Sequence, residues 1–276
     1  MQIKIGWHGK HFGEEPPLVG NKNQGAGGVF FSNCHLHCVF CQNVQISHQK
    51  MGKDYSVEEL AQIMLSMQNQ GALNVDLVTP TIWWKQIKEA AEIARAQGLI
   101  IPIMWNSNAF EPKQLLRNMN GVVDIYVPDF KYSDDELGLK YSGIKNYYQA
   151  AQTAIKEMLW QVGKFKTDEN GIGMRGVIVR HLVLPNNVKN SLGVLDALAE
   201  IDINLHISLM RQYYPLNDLT KYPELTREVN DEEWQTVYNH MLDLGFKNGW
   251  AQDKDSAPVM IPDFTKEEPF SSLIIG

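Results

Sequence analysis

Cysteine is nearly absent from this sequence of 276 residues: there are three, Cys34, Cys38 and Cys41, all within one stretch of eight. An odd, crowded set of this kind is a poor disulfide framework. Long apolar runs are missing as well. No stretch approaches the roughly 18 residues that cross a bilayer, and Met1 to Phe12 carries Lys4, His8, Lys10 and His11 where a secretory leader has an apolar core. Excess positive charge is a third absence, since 25 Lys and Arg stand against 32 Asp and Glu for a net charge of -7. That balance argues against a nucleic-acid partner gripped through a broad basic face. The phosphate-loop pattern G-x-x-x-x-G-K-[ST] is absent too. Gly25-Ala26-Gly27-Gly28 precedes a strand instead of opening a helix, so it reads as a turn allowing close backbone approach. These absences lead us to expect a cytoplasmic protein with no membrane span.

What is present is regular. Hydrophobic residues make up 44% and charged residues 21%, the balance of a globular chain with a real core. Short apolar runs alternate with stretches of helical period about six times, which is the signature of βα units on a parallel sheet. The expected strands are Val29 to Phe31, Asn74 to Thr79, Ile100 to Trp105, Val122 to Val127, Gly176 to Leu184 and Ile203 to Leu209. Ser56 and Glu59 form a capping box, followed by the stripe Leu60, Ile63, Met64, Met67 and a stop at Gly71, so a helix is expected there. Further helices are expected over Trp84 to Gln97, Lys113 to Asn118, Asn146 to Val162, Ser191 to Glu200 and Asp231 to Leu244. Lys164 to Gly173 and Pro215 to Asn230 read as long loops. Six units fall short of an eightfold barrel, so the expected fold is α/β, a partial parallel (βα)6 barrel in a single domain. Its parts are an extension over 1–28, the barrel over about 29–250, and a tail over 251–276, with Pro258, Pro262 and Pro269, wrapping the body.

The cysteines follow the first expected strand, where parallel α/β folds place functional loops. Three thiolates spaced C-x3-C-x2-C can converge on one inorganic centre. A structural zinc needs a fourth ligand, for which His35 and His37 are candidates. A cubane iron-sulfur cluster instead takes three cysteines and leaves one iron open.

The pattern C-x3-C-x-aromatic-C, with Phe40 as the aromatic, resembles the cluster motif of radical S-adenosylmethionine (SAM) enzymes. The segments His11 to Pro17, Leu77 to Thr81, Val127 to Tyr132, Val179 to Pro185 and Leu209 to Pro215 extend the resemblance. They are similar to a group named for its likeness to the pyruvate formate-lyase activating enzyme. The resemblance implies a barrel of radical SAM type, a [4Fe-4S] cluster on Cys34, Cys38 and Cys41, and S-adenosyl-L-methionine on its open iron. It further implies reductive cleavage of SAM to a 5'-deoxyadenosyl radical that abstracts a substrate hydrogen, with a low-potential donor such as flavodoxin or ferredoxin. The substrate would be a glycine of a glycyl-radical enzyme, a small metabolite or a peptide. A non-catalytic zinc-binding scaffold is the reading from another class. Because SAM needs the open iron, His35 and His37 are expected to face solvent or cap backbone carbonyls.

On the same resemblance, Phe40 and the strand ends hold SAM. Where the superfamily carries Gly-Gly-Glu this chain has Thr79-Pro80-Thr81, so Thr79 and Thr81 are expected to accept from the ammonium, unless the segment is only a capped turn. Asn106 and Asn108 follow the third strand, and Asp129 and Lys131 the fourth. An ion pair between the last two is the plainer alternative. Arg180, inside an apolar strand, needs an anion: the SAM carboxylate, or Asp129 or another carboxylate of the chain. His181 then faces the other way as a core histidine. Ser208 could reach ribose or adenine, and His206, on the same face, is either core or near the substrate.

Overall fold

The computed structural model describes residues 2–254 and 261–270. Among them are ten strands: β1 (Gln2–His11), β2 (Ala26–Phe31), β3 (Lys53–Ser56), β4 (Val75–Val78), β5 (Ile103–Ser107), β6 (Ile125–Pro128), β7 (Lys166–Thr167), β8 (Gly173–Leu182), β9 (His206–Met210) and β10 (Asn248–Ala251). The sheet order is β10-β9-β8-β6-β5-β4-β2-β1-β3, with β7 pairing on β8. Neighbours from β2 through β10 are all parallel, and β1 runs antiparallel to both β2 and β3. The six expected strands thus appear in chain order as β2, β4, β5, β6, β8 and β9, a partial parallel barrel.

Several elements were not legible: β3, the short helices Pro16–Val19 and Val44–Ser47, β7, which pairs with β8 inside the segment read as a loop over Lys164 to Gly173, and three more that shape the barrel. β10 adds a seventh parallel strand through Asn248-Gly249-Trp250-Ala251, which lacks the β-branched signature of a strand. Gly249 allows it, because at φ +124 a Cβ would sit 1.9 Å from the Ile207 carbonyl oxygen. β1 lies in the segment taken for an extension, and the helix Asp135–Ser142 is short and mostly polar. The other helices match: Val57–Asn69 has both halves of its capping box, and Trp84–Ala96, Lys113–Met119, Tyr147–Val162, Val188–Ile201 and Asp231–Asp243 fall within a few residues of expectation. No helix of the described residues is long and apolar enough to cross a membrane.

Side-chain alternation along the strands divides the interior in two. Val75, Leu77, Ile103, Trp105, Tyr126, Val177, Val179, Ile207 and Leu209 join the helices in the main core. Residues of the other parity face the lumen. Met104, Ile125, Val127 and Ile178 pack there with Leu18 and Phe165 as a separate apolar plug. The same face carries Asp76, Asn106, Asp129, Arg180 and Ser208, so the lumen is polar beyond the plug. Of the tail, Phe264 and Phe270 pack against Phe30, as a wrap would; Pro258 lies outside the described residues.

Candidate active site

The cysteine loop leaves β2 and is held from two sides. The His37 and Val39 amides donate to the Ser142 and Tyr141 carbonyls (3.1 and 2.8 Å), which satisfies free acceptors at the end of Asp135–Ser142. From the opposite side Asn217 Nδ2 donates to the Val39 and Cys41 carbonyls (2.9 and 3.1 Å), so the long loop from Pro215 acts as a clasp. Donors then converge on sulfur. The Leu36 amide (3.4 Å) and Asn108 Nδ2 (3.7 Å) address Cys34, Ser142 Oγ donates to Cys38 at 3.0 Å, and Ser47 Oγ lies 3.2 Å from Cys41. Burial pushes the Cys34 thiol up to about 12, Cys41 to about 11, and Cys38 upward as well. Thiolates here therefore need a positive centre to form.

The donor set fits a polynuclear centre better than a single ion. Three cysteines complete three irons of a cubane cluster and leave the fourth open, whereas one structural zinc needs a fourth protein ligand. Neither histidine supplies it. His37 is exposed, as expected, with its ring beside His48. His35 departs from expectation: it is half-buried against Phe110, and both ring nitrogens lack a hydrogen-bond partner.

A cavity of about 160 Å³ is lined by the three cysteines, Phe40, Thr79, Asn106, Asn108, Asp129 and Lys131, so most of the expected SAM residues meet there. Thr79 stands at φ +60, a left-handed conformation rare for a β-branched residue. Lys131 Nζ reaches Asp129 Oδ2 at 2.5 Å, so the pair is ionic and also faces the cavity. The Tyr147 hydroxyl touches the Asn108 and Asp129 carbonyls (2.8 and 2.7 Å) and fixes the ends of β5 and β6.

Two expected site residues lie elsewhere. Thr81 is not in the cavity: it opens a 3-10 turn, and its hydroxyl donates to buried Glu111 at 2.9 Å. His206 faces the lumen but opens β9, at the plugged end, where its ring lies 5.2 Å from Phe165 and 5.9 Å from Trp250. A strand's first residue cannot reach chemistry at its carboxyl end.

The cysteine cavity shares Gln42, Asn43, Asn106, Asp129 and Gln212 with a second of about 410 Å³, whose wall includes His11, Glu14, Glu15, Arg180 and Ser208. Arg180 finds its anions in this chain. Nε and Nη2 reach Glu15 at 2.9 and 2.5 Å, and Nη2 also meets Glu14. Of the alternatives, the structure contains the ion pair, made with Glu14 and Glu15; Asp129 meets Arg180 only through the backbone, as a strand neighbour. His11 Nε2 lies 3.1 Å from Asp76 Oδ2, and Nδ1 3.8 Å from Glu14 Oε1. Burial opposes charge on His11, but Asp76 and Glu14 outweigh it and hold its pKa above the usual value. Burial drives the Glu14 carboxyl up to about 7 against the pull of Arg180, whereas Arg180 keeps Glu15 low despite its burial. Gly28 makes room for this histidine, since a Cβ there would stand 2.7 Å from His11 Cδ2.

Sequence reasoning missed His11, Glu14, Glu15 and Asp76 as a group. One signal was available: Asp76 interrupts Val75-Asp76-Leu77-Val78, and the rule that singled out Arg180 in its strand applies equally to it.

The family model described as Radical SAM superfamily matches residues 29–159, so the chain carries a radical SAM domain. The chain is similar to an uncharacterized protein of Methanocaldococcus jannaschii, at 30% identity over 233 residues, 81% of this chain and 62% of the relative. It therefore spans less than two thirds of that relative. In structure it is similar to HydG, a maturase of the [FeFe]-hydrogenase, with TM-score 0.55 and 13% identity over 87% of this chain and 54% of HydG. It is also similar to Streptococcus suis SuiB bound to S-adenosylmethionine, with TM-score 0.51 and 14% identity over 81% of this chain and 46% of SuiB. At such identities these likenesses speak to the fold. Radical SAM enzymes use a [4Fe-4S] cluster and SAM, and these are the cofactors of this domain.

Proposed function

We propose that the chain is a radical SAM enzyme acting on a small polar molecule bound in the barrel lumen. The observation that carries this reading is the continuity of the two cavities, one ending at three cysteine sulfurs and the other at a wall of buried charge. When bound, the cluster and SAM supply one-electron cleavage of the SAM carbon–sulfur bond and hydrogen abstraction from the substrate. Cys34, Cys38 and Cys41 would hold the cluster, and the donors from Leu36, Asn108 and Ser142 would stabilise charge on the sulfurs. Thr79, Asn106 and Asn108 offer SAM hydrogen-bond partners, while Asp129 and Lys131 match its ammonium and carboxylate in sign. Phe40 and Met210 exclude water, and Ser208 lines the second cavity, where it would face the substrate. Arg180 orients Glu14 and Glu15 toward the substrate instead of gripping SAM.

A glycine of a partner enzyme carries no charge for the lumen wall to recognise. The ionic lining therefore supports a small polar molecule ahead of glycyl-radical activation. His11, Glu14 and Glu15, within the segment 1–28, line the lumen, so we treat that segment as part of one catalytic domain with the barrel and tail. An external low-potential donor, flavodoxin or ferredoxin in class, would supply the electron in the cytoplasm. The test is anaerobic reconstitution, reduction and incubation with SAM, followed by chromatography for 5'-deoxyadenosine. Protein with a full complement of iron and sulfide that binds SAM without ever cleaving it would end this reading.

A further inference from the structure

We propose that His11, Glu14 and Asp76 hold a divalent cation at the far wall of the lumen, a centre separate from the cysteines. One ligand atom from each lies within 4.8 Å of the other two, close enough for a single ion without backbone movement. The three side chains are at least nine-tenths buried. Asp76 supplies an independent sign of a missing partner. Its residue is fully buried, its Oδ2 faces His11, and its Oδ1 has no hydrogen-bond partner at all. A bare carboxylate oxygen in such a place is costly unless something positive completes it.

The carboxylates are also short of cations: Glu14 and Glu15 share the one guanidinium of Arg180, and Asp76 has only the His11 ring, so a divalent ion would balance them with His11 neutral. One imidazole and two carboxylates form a mixed nitrogen and oxygen set, which suits manganese, iron or zinc in the divalent state. The imidazole is held in place, its ring lying 5.4 Å from Phe30 and stacked 5.6 Å from Phe270. Three protein donors leave positions open on the cavity side, where water or an oxygen-bearing substrate would complete the shell.

The experiment is Mn2+ titration of the cluster-loaded protein under anaerobic conditions, followed by electron paramagnetic resonance. We expect one Mn2+ bound per chain, with nitrogen modulation from one imidazole in the pulsed spectrum. Asp76→Asn should weaken binding by about tenfold or more, in the range expected when the surroundings of a metal are altered. Glu14→Gln serves as the second variant if Asp76→Asn fails to fold. Cys38→Ser protein, which cannot carry the full cysteine set, should bind Mn2+ as the parent does, so loss of SAM cleavage and loss of this site are read separately. Absence of bound Mn2+, bound Mn2+ without nitrogen coupling, or affinity unchanged in the folded variants would each overturn the proposal.

Discussion

Two buried histidines on opposite faces of the sheet keep opposite company. His181, on the helix-facing side of β8, is fully buried between the Phe130 carbonyl at 2.7 Å and Ser191 Oγ at 2.8 Å. Burial there drives its pKa down to about 4, so it stays neutral. His11 is almost as buried, yet two carboxylates flank it and hold its pKa above normal. The contrast is sharpest at Arg180 and His181, neighbours in sequence that face opposite sides of one strand. One peptide link thus separates an ionic lumen from a neutral core. The alternation that lets a barrel pack its helices also lets it collect charge where a substrate can use it.

The largest test separates chemistry from stability at the open end of the lumen. Cys34→Ala, Cys38→Ala or Cys41→Ala should each abolish stoichiometric iron and sulfide after anaerobic reconstitution, and with them all formation of 5'-deoxyadenosine. Circular dichroism and melting temperature of the unreconstituted proteins should change little, because the loop is also held by Asn217 and the Ser142 carbonyl. A variant with full cluster content would displace that cysteine from the proposed ligand set.

Next in size is Arg180→Ala, which strands Glu14 and Glu15 without their counter-charge. Leaving buried charges unpaired costs about 3 to 5 kcal/mol, read as a lowered denaturation midpoint. SAM affinity should hold, since the guanidinium already has its anions. Lost SAM affinity at undiminished stability would restore Arg180 to the SAM carboxylate and erase the division between cofactor mouth and lumen wall.

His181 tests the neutral side through pH. Its folded pKa lies below the unfolded value of 6.5, so its contribution is fully present above pH 6.5 and is lost as pH falls toward 4. The difference corresponds to about 3 kcal/mol across that window. His181→Asn should flatten the acid limb of stability against pH by about that amount and leave SAM cleavage at pH 7.5 intact in the folded protein. An unchanged acid limb would mean that His181 already accepts a proton in the fold, and the contrast with His11 would fail.

Legibility followed the range of the signal. The cysteine centre was readable because three ligands sit within one loop and their spacing carries the geometry. The six strands and most helices were readable from local period and from caps such as Ser56 and Glu59. The ionic lumen was not, because His11, Glu14 and Glu15 precede the first parallel strand while Asp76 and Arg180 lie on strands far along the chain. Only the fold brings them together. His206 was misplaced because type and parity say which face a residue occupies but not how far along the strand it sits, and Thr81 because the chain leaves β4 at Thr79 and turns, which breaks the alternation. β10 escaped notice because its partner strand, and not its own sequence, specifies it.

The smallest expected effect concerns Thr79, where the second parallel strand turns into the cysteine cavity with φ at +60. Holding a β-branched residue there costs about 1 to 3 kcal/mol, which glycine would relieve at an entropic cost of about 0.5 to 1 kcal/mol. Thr79→Gly should therefore be more stable than Thr79→Ala by about 1 kcal/mol, because alanine keeps the strain and both lose the hydroxyl. Calorimetry of the two variants checks this, and equal or reversed melting temperatures would remove backbone strain from the site. The same pair reads the hydroxyl. If it hydrogen-bonds SAM, both variants should lose a similar amount of affinity, about 1 kcal/mol for a single neutral bond. Full affinity in both would leave only the backbone of Thr79 facing the cofactor, and the strain would then serve to aim its carbonyl.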